Sequence, residues 1–284
     1  MVKESMMMKK HVNIFFPQWQ GGKNKLTYEG AVEIKKNYLS KKPFVDVEVT
    51  LEDNDPIEND IIGYQSIVKQ LEQCKNLIIE EKPTTIFTVG GGCDIVIAPI
   101  SYLNSKTNGD LTVLWFDAHG DLNTPETSMS KAFHGMPLRV LLGEGNKKIL
   151  DHAFSRLRPS QIVLLGTRDL DDAETQYIEE KNIHLVKVDD IESNENSVLD
   201  AIKSKGSENL YIHIDLDVID PKEFSHVPLP VLGGLKIHTL SRLLKALDKE
   251  FTILGLSLTE YQRSGEQTIH ILQEIIDMGI AIKE

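Results

Sequence analysis

The sequence predicts an α/β protein with a largely parallel sheet covered on both faces. Three observations carry that prediction. Short runs rich in β-branched and large apolar residues recur along the chain. Segments with helical periodicity separate most of them. Polar clusters follow the apolar runs, where open α/β sheets place their ligands.

The strand runs are residues 11–16, 44–49, 85–89, 111–116, 161–166, 184–188, 210–215 and 251–256. Between residues 60 and 81, apolar side chains fall at Tyr64, Ile67, Leu71, Cys74 and Ile78. Steps of three and four make one helical face, with Cys74 as a core residue on it. Helical patterns also fit residues 28–38, 96–103, 238–247 and 268–278. No repeat, low-complexity tract or Pro/Ser-rich linker interrupts this alternation, so residues 1–284 read as one domain.

Composition narrows the function. A net charge of -12 argues against nucleic acid or an anionic membrane as partner and agrees with a pocket for a cationic substrate. Cys74 and Cys93 are the only cysteines, which points away from a disulfide framework and toward a reducing cytoplasm. The opening residues have no apolar stretch suited to a signal peptide, and no window approaches the ~18 apolar residues of a membrane span.

The most informative stretch is Leu114-Trp-Phe-Asp-Ala-His-Gly-Asp121. In an extended segment alternate side chains share a face, so Asp117 and His119 point the same way, and Asp121 joins them as the chain turns. Two carboxylates and an imidazole at the mouth of a buried strand are costly to desolvate unless a cation binds. Oxygen and nitrogen donors at this spacing suit a divalent metal. The bland alternative is a solvated loop. The pattern returns at Asp215 and Asp217, closing the run Tyr211-Ile-His-Ile-Asp-Leu-Asp, and the repetition favours a two-metal site. His213 reads as a supporting or core residue deeper in the strand.

Three further stretches complete the set. Gly90-Gly91-Gly92-Cys93-Asp94 follows a strand and opens a helix, as a sharp turn or a close-approach loop, with Asp94 a candidate cap. Residues 122–135 form a long polar loop in which His134 is a plausible proton shuttle. Gly255-Leu-Ser-Leu-Thr-Glu260 ends another strand in a carboxylate that is either solvated or a ligand contact.

Taken together, Asp117–Asp121 (DAHGD), Asp215–Pro221 (DLDVIDP) and Gly90–Asp94 (GGGCD) resemble the signatures of the ureohydrolase (arginase/agmatinase/formimidoylglutamase) family, over nearly the whole chain. The resemblance implies a three-layer αβα sandwich with a mostly parallel eight-stranded sheet. It implies two Mn²⁺ per chain, with Asp117 and Asp215 bridging, His119 and Asp217 completing one site, and Asp121 with Cys93 the other. Cys93 stands where the family has a histidine. A thiolate there implies a weaker site or a preference for Zn²⁺, Fe²⁺ or Co²⁺, with Asp94 as a possible substitute ligand. His134, Asp121 and Glu260 are the implied catalytic residues. Asn123 and Ser130 would hold a substrate α-carboxylate, Asp171 the α-amino group with Glu174 assisting, and Glu260 would face the guanidinium. Ala132 and Leu229 depart from the arginase pattern at the substrate end.

The expected activity is hydrolysis of an arginine-like guanidino C–N bond, releasing urea through attack of a metal-bridging hydroxide. The alternatives are hydrolysis of another guanidino or formimino compound, and a metal-binding member that has lost catalysis. The resemblance further implies a homo-oligomer, trimer or hexamer, acting on a small cationic substrate.

Overall fold

A computed structural model describes residues 10–52, 56–194, 196–266 and 268–282. Eight parallel strands form one sheet in the order β2-β1-β3-β8-β7-β4-β5-β6. They are β1 (His11–Phe16), β2 (Val45–Asp46), β3 (Thr85–Gly90), β4 (Thr112–Phe116), β5 (Ile162–Leu165), β6 (His184–Val186), β7 (Asn209–Asp215) and β8 (Thr252–Thr259). All eight match the expected runs. Two differ most in extent. The edge strand β2 has one neighbour and shrinks to two residues, whereas β8 continues to Thr259 because β3 and β7 flank it on both sides.

The central strands are near-continuous apolar runs because both of their faces are covered. On β4, Val113 and Trp115 enter one core cluster while Leu114 and Phe116 enter the other, the period of two expected of a strand. The first layer contains α2 (Tyr64–Glu81), α3 (Ile97–Lys106), α4 (Pro137–Leu141), α5 (Lys147–Leu150) and α6 (Asp172–Lys181). The second contains α1 (Lys25–Tyr38), α7 (Val188–Ser193), α8 (Asn196–Lys203), α9 (Ile237–Glu250) and α10 (His270–Ile280). The result is the three-layer sandwich.

Cys74 is fully buried on the apolar stripe of α2, as its spacing predicted. Helices α4 to α8 were not foreseen. Helix α6 shows why: in DAETQYIEEK only Tyr177 and Ile178 are large apolar residues, and a capping box at Asp171 and Glu174 starts it instead.

This topology positions the site. The strands that carry the polar motifs, β3, β8, β7 and β4, are consecutive neighbours at the centre of the sheet. Being parallel, they deliver the loop after Gly90, Glu260, Asp215 and Asp117 to one edge.

Candidate metal centre and substrate cavity

Asp117 immediately follows β4 and is fully buried. Trp115 Nε1 donates to its Oδ2 at 3.1 Å, and the His119 amide donates to its Oδ1 at 2.6 Å. The second motif is built alike, with the Asp217 amide donating to Asp215 Oδ1 at 2.8 Å. The two motifs then interlock. The Ala118 amide donates to Asp217 Oδ1 at 2.9 Å, and His119 Nδ1 lies 2.9 Å from Asp217 Oδ2.

Cys93 opens a short 3₁₀ turn after the three glycines and is buried. Its thiol donates to Asp215 Oδ2 at 3.1 Å, with Thr259 Oγ1 at 3.4 Å and Asp117 Oδ2 at 4.0 Å. The glycines serve close packing: a Cβ on Gly91 would lie 1.6 Å from the Gln18 carbonyl oxygen. Asp121 and Glu260 both adopt left-handed backbone conformations, φ 54° and 60°, which are uncommon for non-glycine residues.

Donor atoms gather into three overlapping groups, each with its atoms within 4.8 Å of one another: Cys93, Asp117, Asp121 and His213; Cys93, Asp215 and Glu260; Asp117, His119 and Asp217. The six residues expected to ligate metal all fall in these groups. Asp94 does not. Its buried carboxylate sits against Gly21 and Gly92, where an added Cβ would come within 2.7 and 2.6 Å of it, and neither oxygen has a hydrogen-bond partner. Asp94 therefore lies outside the donor groups, and it does not cap the turn, which begins at Gly92 without a side-chain cap.

The electrostatics suit a bound cation. Burial, then the Asp217 charge, pushes Asp117 up to about 7. Burial and neighbouring carboxylates drive Asp121 and Asp215 well above the usual carboxylate range. Burial and the Asp215, Asp121 and Asp117 charges push the Cys93 thiol up as well. Burial opposes protonation of His119, but Asp117 and Asp217 outweigh it and hold the imidazole at about 12. Asp121 Oδ2 is buried without a partner. Crowded carboxylates, a thiol and an orphaned oxygen match the donor chemistry of divalent cations.

Beside this cluster, His134 Nδ1 lies 2.9 Å from Oε1 of Glu260, itself a member of the second group. Burial opposes protonation of His134, but the Glu260 charge and hydrogen bond raise its pKa. Both line a cavity of about 240 Å³ with His119, Asp215 and Asp217 at its base. Its mouth holds Asn123, Ser130, Ala132, Asp171, Glu174 and Leu229, so every expected substrate-end residue reaches one space.

The mouth is internally braced. Asn123 Nδ2 donates to Asp171 Oδ2 at 2.8 Å, and Asn123 Oδ1 accepts from Thr127 Oγ1 at 2.7 Å. Asp171 Oδ1 accepts from the Glu174 amide at 2.9 Å, while Glu174 Oε1 accepts from the Leu122 amide at 3.0 Å. Glu174 thus fastens the polar loop to α6. The Ser130 hydroxyl accepts from the Ala132 amide at 3.2 Å.

Several contributors were not singled out from sequence. Asp169 lines the cavity with Oδ2 3.7 Å from His119 Nε2, and its place just beyond β5 was the available signal. Arg168 donates to the carbonyls of Asp217 at 2.8 Å and Val231 at 2.7 Å, clamping the loop behind the second motif. Thr259 and Trp115 are strand residues whose polar atoms only the fold could aim at Cys93 and Asp117.

An αβα sandwich with two interlocked Asp motifs on neighbouring strand ends defines a class of metallohydrolases, and sequence comparison locates this chain within it. The Arginase family profile matches residues 26–277, and the chain belongs to that family. An arginase of Staphylococcus aureus (strain MRSA252) is 30% identical over 269 residues, covering 90% of this chain and 88% of the relative. The structure of Entamoeba histolytica arginase, in complex with L-ornithine, superposes with a TM-score of 0.85 at 23% identity, covering 96% of this chain and 99% of that one. Formimidoylglutamase of Bacillus subtilis shares the fold at a TM-score of 0.69 and 17% identity, covering 97% and 85%.

Proposed function

We propose that this chain is a metal-dependent hydrolase of linear amidine C–N bonds that cleaves the guanidino group of an arginine-like substrate and releases urea. The observation that carries the reading is the convergence of both Asp motifs and the His134–Glu260 pair on one cavity. Two divalent ions would be held by Asp117 and Asp215 together with His119 and Asp217 at one position and Cys93 and Asp121 at the other. Manganese is the family expectation, and Cys93 weights the second position toward softer ions.

The ions supply the Lewis acidity that makes water nucleophilic near neutral pH. The chain's own residues do the rest. Glu260 faces the guanidinium and fixes His134 through the 2.9 Å contact. His134, whose protonated form that carboxylate favours, delivers a proton to the departing amine. The Ser130 hydroxyl, 3.3 Å from Ser128 Oγ, faces a carboxylate at the substrate's far end, and Asn123 and Asp171 line the same end. Among the described residues, those lining the cavity include no Lys or Arg, consistent with a cationic substrate.

Ala132 and the half-exposed Leu229 at the mouth support a second reading, an amidine substrate with a less polar far end. Among the described residues no helix is long and apolar enough to cross a membrane. We assign the protein to the cytoplasm, as a homo-oligomer of the trimeric or hexameric kind.

The test is urea release from L-arginine by Mn²⁺-loaded protein, alongside Asp117→Ala and Asp215→Ala. Loss of turnover in both variants with the fold retained supports the reading. Full activity in either contradicts it.

A further inference from the structure

The polar residues below the candidate metal centre form an ordered row. Trp115, His213 and Ser257 are register partners on β4, β7 and β8, and Thr88 continues the row on β3. One step further along, Asp215 pairs with Thr259 in the same direction. His213 and Asp215 lie two apart on one strand, so both side chains project from the same face of the sheet.

His213 is fully buried, yet only half of its ring is accounted for. Nδ1 lies 2.9 Å from Ser257 Oγ. The ring stacks on Trp115 with centroids 3.9 Å apart, which fixes its plane. Nε2 has no partner. A buried imidazole nitrogen without a partner is costly, and Asp121 Oδ2 beside it is unpartnered too. A ring nitrogen of His213 belongs to the group whose donor atoms all lie within 4.8 Å of one another, with Cys93, Asp117 and Asp121. Donors about 2.0–2.3 Å from one ion are at most roughly 4.6 Å apart, so this spacing is that of a coordination shell slightly relaxed.

We propose that His213 supplies a nitrogen ligand to the ion held by Cys93, Asp117 and Asp121, making that position a mixed thiolate, imidazole and carboxylate site. The inference rests on the two-ion reading above. Ser257 completes the arrangement usual for a ligating histidine: with the proton on Nδ1, its hydroxyl oxygen accepts that hydrogen bond and leaves the Nε2 lone pair for the metal. Sulfur and imidazole on one ion favour Zn²⁺ or Co²⁺ over Mn²⁺, whereas the His119 position keeps carboxylate-rich character.

X-ray absorption at the cobalt edge, on the full chain loaded with Co²⁺, tests this without reference to turnover. Wild type should show two imidazoles and one sulfur per two ions, and His213→Phe, which keeps the stacked ring, should show one imidazole. Chelator competition should find the tighter Co²⁺ weakened at least about tenfold in that variant. An unchanged imidazole count or unchanged affinity in His213→Phe overturns the proposal. Should that variant fail to fold, wild type and His134→Asn decide: two imidazoles in both support His213, and a single imidazole in wild type overturns it. A chain that takes up no Co²⁺ refutes the two-ion reading itself. Normal uptake with one imidazole refutes His213 alone.

Discussion

The Cys93 thiol donates to Asp215 Oδ2 at 3.1 Å, joining the loop after β3 to the end of β7 across the intervening strand β8. That bond puts a soft donor among hard ones. Cys93→Ser should therefore keep the fold but lose the near-ultraviolet sulfur-to-cobalt band of the Co²⁺-loaded protein. A band of undiminished intensity would mean that sulfur does not ligate.

His134 and Glu260 set a pH limit. Because Glu260 raises the His134 pKa, the imidazolium persists to higher pH than an isolated histidine would allow. Glu260→Gln removes the charge, so the alkaline limb of the pH–rate profile should move to lower pH. His134→Asn should cut kcat by about 10²–10⁴-fold while metal content stays constant. Equal limbs in Glu260→Gln and wild type would break the coupling.

Asp94 has an opposite consequence for stability. Burial raises its carboxyl from 3.8 to about 7. Between those values the folded chain holds a proton that the unfolded chain releases, so this group's contribution falls as pH rises through that window. Asp94→Asn keeps the shape without the ionisation. It should raise the melting temperature at pH 8, by at most about 4 kcal/mol of stability, and give no gain at pH 4. A pH-independent effect would count against a buried ionised Asp94.

Much of this architecture was readable from local pattern. Buried parallel strands such as β4 are apolar throughout, and spacing by two placed Asp117 with His119 and Asp215 with Asp217 on shared faces. The same parity put His213 on the face of Asp215, but depth along a strand depends on register with β4 and β8, which one strand does not encode. Asp94 was misjudged for a related reason. Its neighbour Cys93 does join the donor cluster, yet the turn sends successive side chains apart, and space beside Gly21 and Gly92 takes the carboxylate. The Asp171–Glu174 capping box was legible as a motif, while its bond to the Leu122 amide needed the fold.

At the cavity mouth, Ala132 leaves an edge without a polar side chain. Ala132→Asn adds a donor near the Ser130 hydroxyl. If the substrate carries an α-carboxylate, KM for L-arginine should fall about tenfold or more with little change in kcat, the worth of one hydrogen bond to a charged group. An unchanged KM would favour a substrate without that carboxylate.

The most direct measurement is metal content and urea release from L-arginine on the same sample, for wild type and Asp215→Ala. Two divalent ions per chain with urea formed by wild type, and both lost in a folded Asp215→Ala, is the predicted result. Urea formed at the wild-type rate by the variant, or by a chain stripped of metal, would contradict the two-ion hydrolase.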